Sequence, residues 1–297
     1  MNSSFSVVTP SYNQGRFIRA AIESVLSQGI TDLQYLVMDG GSGDDTVAIL
    51  QEYGDRLSFI SEQDDGTGDA VNKGLAFCQG DIIGWLNSDD IFYPHTLRRV
   101  LELFELHPET DVIYGRAHHI DEHGAIIEEY PTEDWSFEAL IHHCIISQPA
   151  AFFRRKVVEE FGPLAIAHKY CVDYEFWIRL AKKGARFLFV PEFFAATRLH
   201  EQAKTCASRL KCHEDTNDIL VEHLGYLPAR WISNYAHIKA EEFMKRSESE
   251  ATFYFMLVVN YLLTDLRWNK KISASTFEMF PEWIAGWLYR FRTGKNA

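Results

Sequence analysis

The sequence is poor in the features that mark several common protein classes. It has five cysteines in 297 residues, Cys78, Cys144, Cys171, Cys206 and Cys212, an odd number with no CxxC pair. That excludes a disulfide framework and fits thiols kept reduced in a cytoplasm. Cys206, Cys212, His200 and His213 lie near one another, but at no common zinc spacing. Basic residues are scarce: 29 Lys and Arg stand against 42 Asp and Glu, a formal net charge of −13. A chain that grips nucleic acid through its phosphates carries a basic face, so no nucleic-acid partner is expected. Small anions stay open as ligands, because a metal ion lets an acidic site attract them.

Long apolar runs are also missing. The longest apolar-rich stretch, Ala251 to Leu263, is broken by Asn260 and falls short of the roughly 20 residues that span a bilayer. The start, MNSSFSVVTPSYNQG, has neither the basic residues nor the apolar run of a signal peptide. What is present is an ordinary globular balance, 46% hydrophobic and 24% charged residues, enough for a sizeable core.

The first half alternates short apolar strands with amphipathic helices. Strands are expected at Phe5–Thr9, Leu33–Met38, Leu57–Ile60, Ile82–Leu86 and Asp111–Tyr114. Helices are expected at Arg16–Leu26, Thr46–Tyr53, Ala70–Phe77, with Asp69 as its cap, and His95–Leu106. Such alternation implies a Rossmann-like α/β fold with a mainly parallel sheet and helices on both faces. Beyond it, His118–Glu129 reads as a hairpin, Pro149–Phe153 and Arg186–Val190 as strands, and Tyr174–Lys183 as a helix stopped by Gly184. From about Cys206 the chain turns helical and aromatic. Two regions are therefore expected: an α/β domain over 1–205, and a helical C-terminal region over 206–297 packed on it.

In open α/β sheets ligands sit beyond the carboxyl ends of the strands, and four features fall there or downstream. The segment from Thr9 through Pro10, Ser11 and Tyr12 to Asn13 follows the first strand; its bland reading is a turn, with Ser11 or Asn13 capping the next helix. Asp39-Gly40-Gly41-Ser42-Gly43-Asp44-Asp45 follows the second. Its glycines let a flat ligand approach the backbone and Asp39 can accept a hydrogen bond from a base N–H; the bland reading is a glycine turn with Asp44 or Asp45 as cap. Asn87-Ser88-Asp89-Asp90 follows the fourth strand. Adjacent carboxylates there repel one another, and a hard divalent cation would relieve them. A capping turn explains the same spacing. Asp173, in CVDYEFW, and His200, in TRLHEQ, are a candidate base and a candidate metal or diphosphate ligand, with a helix cap and a surface histidine as the alternatives.

Taken together, VVTPSYNQGRFIRAAIESVLSQ, LQYLVMDGGSGDDTVAIL, EQDDGTGDAVNKGLAFCQGDIIGWLNSDD, SQPAAFFRR, VDYEFWIRL and TRLH resemble glycosyltransferase family 2, inverting enzymes of the GT-A fold, over roughly residues 5 to 202. The resemblance implies transfer of a sugar from a nucleotide-diphosphate sugar, UDP favoured, to a hydroxyl of a glycan or lipid-linked acceptor in bacterial surface glycan synthesis, in the cytoplasm or at the inner face of the membrane. It implies Mn²⁺ or Mg²⁺ as cofactor, held by Asp89 with Asp90 and His200. It places Thr9, Pro10, Tyr12, Asp39, Asp69, Asn72, Lys73, Asn87, Ser88 and Gln148 around the nucleotide sugar, with Gln148 near the sugar pocket, and makes Asp173 the catalytic base. One position departs: Asn87 stands where the Asp-x-Asp-Asp pattern begins with aspartate, a variant found among bacterial members, and its amide can bond a ribose hydroxyl without adding charge.

Two other readings fit part of the sequence. A nucleotidyltransferase also sets carboxylates and Mg²⁺ on an α/β sheet, but SYNQGR is not the basic glycine-rich loop that grips a triphosphate. A non-catalytic glycan-binding relative has Asn87 as its one support. Finally, Thr264–Ala297 carries six Lys or Arg against three Asp or Glu, and Trp283, Ile284, Trp287, Leu288 and Phe291 share a helical face. That face would suit an anionic membrane surface, or packing on its own domain or on a second copy in a homo-oligomer.

Overall fold

The computed structural model describes residues 4–201, 203, 207–243 and 250–273. The chain falls into two compact units, Met1–Cys206 and Ala207–Ala297.

The first unit opens with β1 (Phe5–Ser11), α1 (Ile18–Leu26), β2 (Leu33–Asp39), α2 (Thr46–Glu52), β3 (Ser58–Ser61), α3 (Thr67–Phe77) and β4 (Ile82–Trp85). These strands are parallel, with β1 between β2 and β4, and β3 beyond β2. Side chains alternate across a strand, and β1 shows the consequence. Phe5 and Val7 join the cluster that buries Ile18, Ala21, Ile22 and Val25 of α1. Val8 faces α3, which comes so close that a Cβ on Gly74 would lie 2.4 Å from Val8 Cγ1. Glycine is what lets this helix lie on the strand.

The chain continues through β5 (Ile91–Phe92), α4 (Thr96–Leu106), β6 (Val112–Ile120), β7 (Ile126–Glu129), α5 (Phe137–His142), β8 (Ala151–Arg154), α6 (Lys156–Phe161), α7 (Val172–Lys182) and β9 (Phe187–Arg198). The full sheet runs β3-β2-β1-β4-β8-β6-β9-β5, with β7 on β6. It is mixed rather than parallel throughout: β8 is antiparallel to both β4 and β6, β7 to β6 and β5 to β9, whereas β6 and β9 are parallel. The parallel part that sequence alternation points to is the β3-β2-β1-β4 half. The expected 118–129 hairpin is the β6–β7 connection. Its turn closes on Asp121, whose side chain accepts the His123 and Ala125 N–H groups.

Several local expectations change. α3 starts at Thr67 after Gly66 (φ 108°), so Asp69 lies inside the first turn and does not cap the helix. α1 starts at Ile18 with Phe17 before it; neither Ser11 nor Asn13 caps it. β9 runs to Arg198, well past the expected end at Val190, because its second half finds partners in β6 and in the two-residue β5.

The second unit holds α8 (Arg209–Leu224), α9 (Ala229–Phe243) and α10 (Glu250–Asn269). Tyr235, Phe253, Leu257, Tyr261 and Trp268 are buried in it, whereas Phe243 and Phe255 are exposed. Glu214 accepts the Tyr235 hydroxyl at 2.7 Å and pairs with Arg267 at 3.0 Å, tying α8, α9 and α10 together. The face built on Trp283 and Trp287 lies outside the described residues. Among the described residues no helix is long and apolar enough to cross a membrane, and no disulfide links Cys78, Cys144, Cys171 or Cys212.

Candidate active site

The register of the parallel strands sets the stage. Ser11 of β1 pairs with Asp39 of β2, Asp39 with Ser61 of β3, and Val8 with Trp85 of β4. The carboxyl ends of four strands therefore share one edge, and both acidic turns leave from it. A hollow of about 590 Å³ bordered by Asp32, Gln34, Arg56, Ser58 and Gln79 lies at the opposite, amino edge and contains none of the candidate residues.

After β2, Asp39 is 2% exposed and its side chain closes the turn. One oxygen accepts the N–H groups of Gly41 (3.1 Å) and Ser42 (3.0 Å) and the Ser61 hydroxyl (2.6 Å); the other accepts the Ser42 hydroxyl. Asn13, at φ 53°, accepts the Gly43 N–H at 2.8 Å while its own N–H reaches the Ser42 hydroxyl. Asp44 accepts the N–H groups of Gly15 and Thr46, whereas Asp45, the N-cap residue of α2, makes no side-chain capping bond. Thr9 is wholly buried, with its hydroxyl 3.2 Å from that of Tyr35. Pro10 is buried with the rest of β1, and Tyr12 is 61% exposed. A Cβ on Gly40 would meet an Asp64 carboxylate oxygen at 2.6 Å and the Tyr12 ring at 3.3 Å. Glycine there keeps Tyr12, Asp64 and the turn in contact.

Lys73 lies between Glu62 (2.9 Å) and Asp69 (3.4 Å) and donates to the Gln63 carbonyl. Asn72 exchanges two hydrogen bonds of 2.9 Å with the Leu164 backbone.

After β4, the chain turns sharply through Asn87–Asp90. Ser88 and Asp90 are buried. Asp90 accepts the Arg198 backbone N–H at 2.9 Å on one oxygen and the Asn87 amide at 3.1 Å on the other. Burial, reinforced by the charge of Asp89, pushes the Asp90 carboxyl well above the usual carboxylate range. Asp89 behaves differently: its Oδ2 lies 3.0 Å from Nε2 of His200, 111 residues away. The His200 side chain is only 4% exposed and packs on the Phe17 ring, with centroids 4.8 Å apart. The Arg198 guanidinium sits 5.0 Å from the centre of the same ring and donates to the carbonyls of Asp89 and Asp121. Gln148, 8% exposed, bonds Asn87 and the Trp85 carbonyl.

Asp173 is in the first turn of α7, two residues past the Cys171 N-cap. Burial, reinforced by the charge of Asp173, raises the Cys144 thiol to about 12; burial, then Cys144 and to a lesser degree Asp173, also raises the Tyr130 hydroxyl, which donates to the Cys144 carbonyl at 2.7 Å.

With this geometry in place, residues 6–162 match the glycosyl transferase family 2. The chain belongs to that family. An uncharacterized glycosyltransferase of Rickettsia prowazekii is 27% identical over 225 residues, 71% of this chain and 69% of that protein. The chondroitin synthase of Escherichia coli is 32% identical over 188 residues, 60% of this chain but only 26% of the synthase. Among solved structures, S. aureus TarS 1-349 in complex with UDP-GlcNAc superposes with a TM-score of 0.62 at 17% identity, over 88% of this chain and 81% of that one. The mannosyltransferase PcManGT of Pyrobaculum calidifontis, in complex with GDP-Man and Mn²⁺, does so with 0.61 at 15% identity, over 98% and 82%. At these identities the structural likeness establishes the GT-A fold alone.

In this family 2 glycosyltransferase the matched stretch ends before Asp173 and His200, so these two rest on the geometry given above. Arg198, Asp64 and Ser61 do not stand out in the sequence. Asp64 sits in the EQDDG segment, and its place on Gly40 depends on β3 lying beside β2. Arg198 is one letter of TRLH, with no sign that it reaches back to Asp89 and Asp90.

Proposed function

We propose that the Met1–Cys206 unit binds a nucleotide-diphosphate sugar, UDP-linked by preference, and transfers the sugar with inversion to a hydroxyl of a glycan or lipid-linked acceptor. The observation that carries this is the Asp89–His200 pair, 3.0 Å apart, on the same sheet edge as the Asp39 turn. A base seated on the glycine turn beside Tyr12 would leave its diphosphate near that pair. Asp39 accepts one hydroxyl on Oδ1, which leaves that oxygen a second lone pair for a base N–H. Asp69 and Lys73 border the same turn through Gln63 and Glu62.

The donor set also suits a divalent ion: a carboxylate and an imidazole in a half-buried setting. Among the described residues no group of three or more acidic, His or Cys side chains would hold an ion alone. Ions of this kind are commonly bound by one or two carboxylates together with substrate phosphates. Mn²⁺ or Mg²⁺ there would supply neutralisation of the leaving diphosphate. Asp89 and His200 would hold it. Asp90, with both oxygens engaged and its side chain buried, supports the turn.

Asp173 takes the proton of the acceptor hydroxyl. The acceptor oxygen bonds to the anomeric carbon from the face opposite the diphosphate, the bond from that carbon to the diphosphate oxygen breaks, and the nucleotide diphosphate leaves with the electron pair. The test is calorimetric titration with UDP, with and without Mn²⁺, against GDP and dTDP. Binding of UDP strengthened by Mn²⁺ is the expected result. Preference for GDP or dTDP would overturn the uracil assignment, and no binding by folded protein would overturn the donor site.

A further inference from the structure

Asn87 is the position where this chain departs from the acidic pattern, and its surroundings explain the amide. Its oxygen accepts the Trp85 indole N–H at 3.0 Å, and its nitrogen donates to Asp90 Oδ2 at 3.1 Å and to Gln148 Oε1 at 2.9 Å. Both amide hydrogens are thereby used within the protein. Gln148 returns its own amide to the Trp85 carbonyl at 2.6 Å, which closes a ring through Trp85, Asn87 and Gln148. From this ring the chain of contacts passes to Asp90, to the Arg198 N–H, and through the Arg198 guanidinium to the Asp89 carbonyl at 2.9 Å. The ring joins β4 to the turn before β8, and Asp90 links it to the end of β9.

A carboxylate could not take this place. It accepts and does not donate, so aspartate at position 87 would set oxygen against oxygen at Gln148, and would meet the buried Asp90 either as a second charge or only by forcing Asp90 to keep a proton. We infer that Asn87 and Gln148 are positioning residues: they fix the Asn87–Asp90 turn so that Asp89 alone presents its carboxylate to His200, and they act on the donor through Asp89 and not by touching it. On this account asparagine at position 87 is demanded by the scaffold and is not a ligand lost. The inference rests on the reading of Asp89 and His200 as the diphosphate end of the donor site.

The experiment measures UDP affinity with and without Mn²⁺ by calorimetry, and thermal unfolding of the metal-free protein, for Asn87→Ala, Gln148→Ala, their double variant, Asn87→Asp and Asn87→Asp with Asp90→Asn. Residues that orient a metal ligand typically cost ~10–100-fold when removed. Asn87→Ala and Gln148→Ala are each expected to lose that much UDP affinity in Mn²⁺ and about none without it. The double variant should be little worse than either single, and its unfolding midpoint should fall by less than the sum of the two. Asn87→Asp should be worse than Asn87→Ala. Adding Asp90→Asn should restore part of the loss, because the exchange puts the amide donor on the other side of the same contact while leaving an oxygen for the Arg198 N–H. If Asn87→Asp does not fold, the Asn87→Ala and Gln148→Ala cycle decides alone. An equal loss of UDP affinity with and without Mn²⁺ in Asn87→Ala would mean that Asn87 touches the nucleotide, and additive single effects would mean that there is no shared ring; either overturns the inference. A wild-type protein whose UDP binding ignores Mn²⁺ overturns the Asp89–His200 reading before any variant is compared, and takes the inference with it.

Discussion

Two acidic turns leave neighbouring strands on one edge of the sheet, and they are held in opposite ways. After β2, the Asp39 carboxylate gathers four donors, all within 22 residues, and the loop is closed by its own atoms and by Asn13 and Asp44. After β4, the carboxylate of Asp89 meets His200, which arrives only when β9 has joined the sheet. The first turn is held by its own atoms and by near neighbours in the first 61 residues, from the β1–α1 loop and β3. The second is an assembly of parts from β4, the turn before β8 and β9, and its acidic neighbours divide the work: Asp90 faces inward, Asp89 faces His200. A loop held rigid by many short-range bonds suits shape recognition of a base. A carboxylate aimed by distant elements suits a charged group that has to be placed.

Asp173 belongs to neither turn, and it gives the largest effect. If both turns only bind the donor, Asp173→Asn will lower sugar transfer by ~10²–10⁴-fold, the usual contribution of a general base, while UDP affinity stays at the wild-type value. A variant that loses UDP affinity in step with activity would put Asp173 in the donor site and blur the contrast.

The next effect separates the turns from one another. Asp89→Ala should lose about tenfold or more of the Mn²⁺-dependent UDP affinity, since removing a ligand costs at least as much as removing the residue that orients it. Its unfolding midpoint should fall less than that of Asp39→Ala, because it leaves one buried group, His200 Nε2, without its partner, where Asp39→Ala strips four donors of theirs. Asp39→Ala should do the reverse. Two of the four donors, on Gly41 and Ser61, belong to exposed residues and can turn to water; leaving the part-buried Ser42 groups short of a partner costs ~1–3 kcal/mol, and for a domain of about 200 residues 1 kcal/mol shifts the midpoint by ~2–4 °C. A fall of roughly 5–10 °C is therefore expected by calorimetry, with UDP affinity weakened to the same factor whether or not Mn²⁺ is present. If the two variants behave alike, the contrast between a locally held and an assembled turn is wrong.

The same contrast governs what can be read from the sequence. The Asp39 turn is legible where its parts are contiguous, a strand, an acid and three glycines within four residues; Asn13, Gly15 and Ser61, which hold it from the β1–α1 loop and β3, are not. The parallel β3-β2-β1-β4 half follows from strand–helix alternation for the same reason. β5 is not legible, since two residues give no period, and it exists only as the partner of Ala195 and Ala196. The second half of β9 begins just after Pro191, which reads as a stop, yet Phe193–Arg198 pairs with β6 past a register shift at Gly115 and Arg116. Arg198 is hidden with it. Asn87 is visible as a departure, but the donors and acceptors that require an amide lie at 85, 90 and 148, and only the folded sheet brings them together.

The smallest expected effect tests how far the locally held turn is fastened from outside. Burial works against the charge on Asp44, but the Thr46 hydroxyl and the N–H groups of Gly15 and Thr46 outweigh it and hold the carboxyl below its ordinary value. A carboxyl whose folded pKa is depressed adds stability that is fully present above its unfolded value, ~3.9, and is lost as pH falls through the lower folded value. The unfolding midpoints of wild type and Asp44→Asn should therefore differ slightly at neutral pH and converge as pH drops below about 4. Asp44 is largely exposed, so solvent screening keeps the difference small. Because Asp44 fastens the glycine turn to Gly15 and not to β4 or β9, its loss should weaken UDP binding equally with and without Mn²⁺. A variant that instead reduced only the Mn²⁺-dependent part would show that the two turns are coupled across β1, and that the nucleotide loop is not held locally.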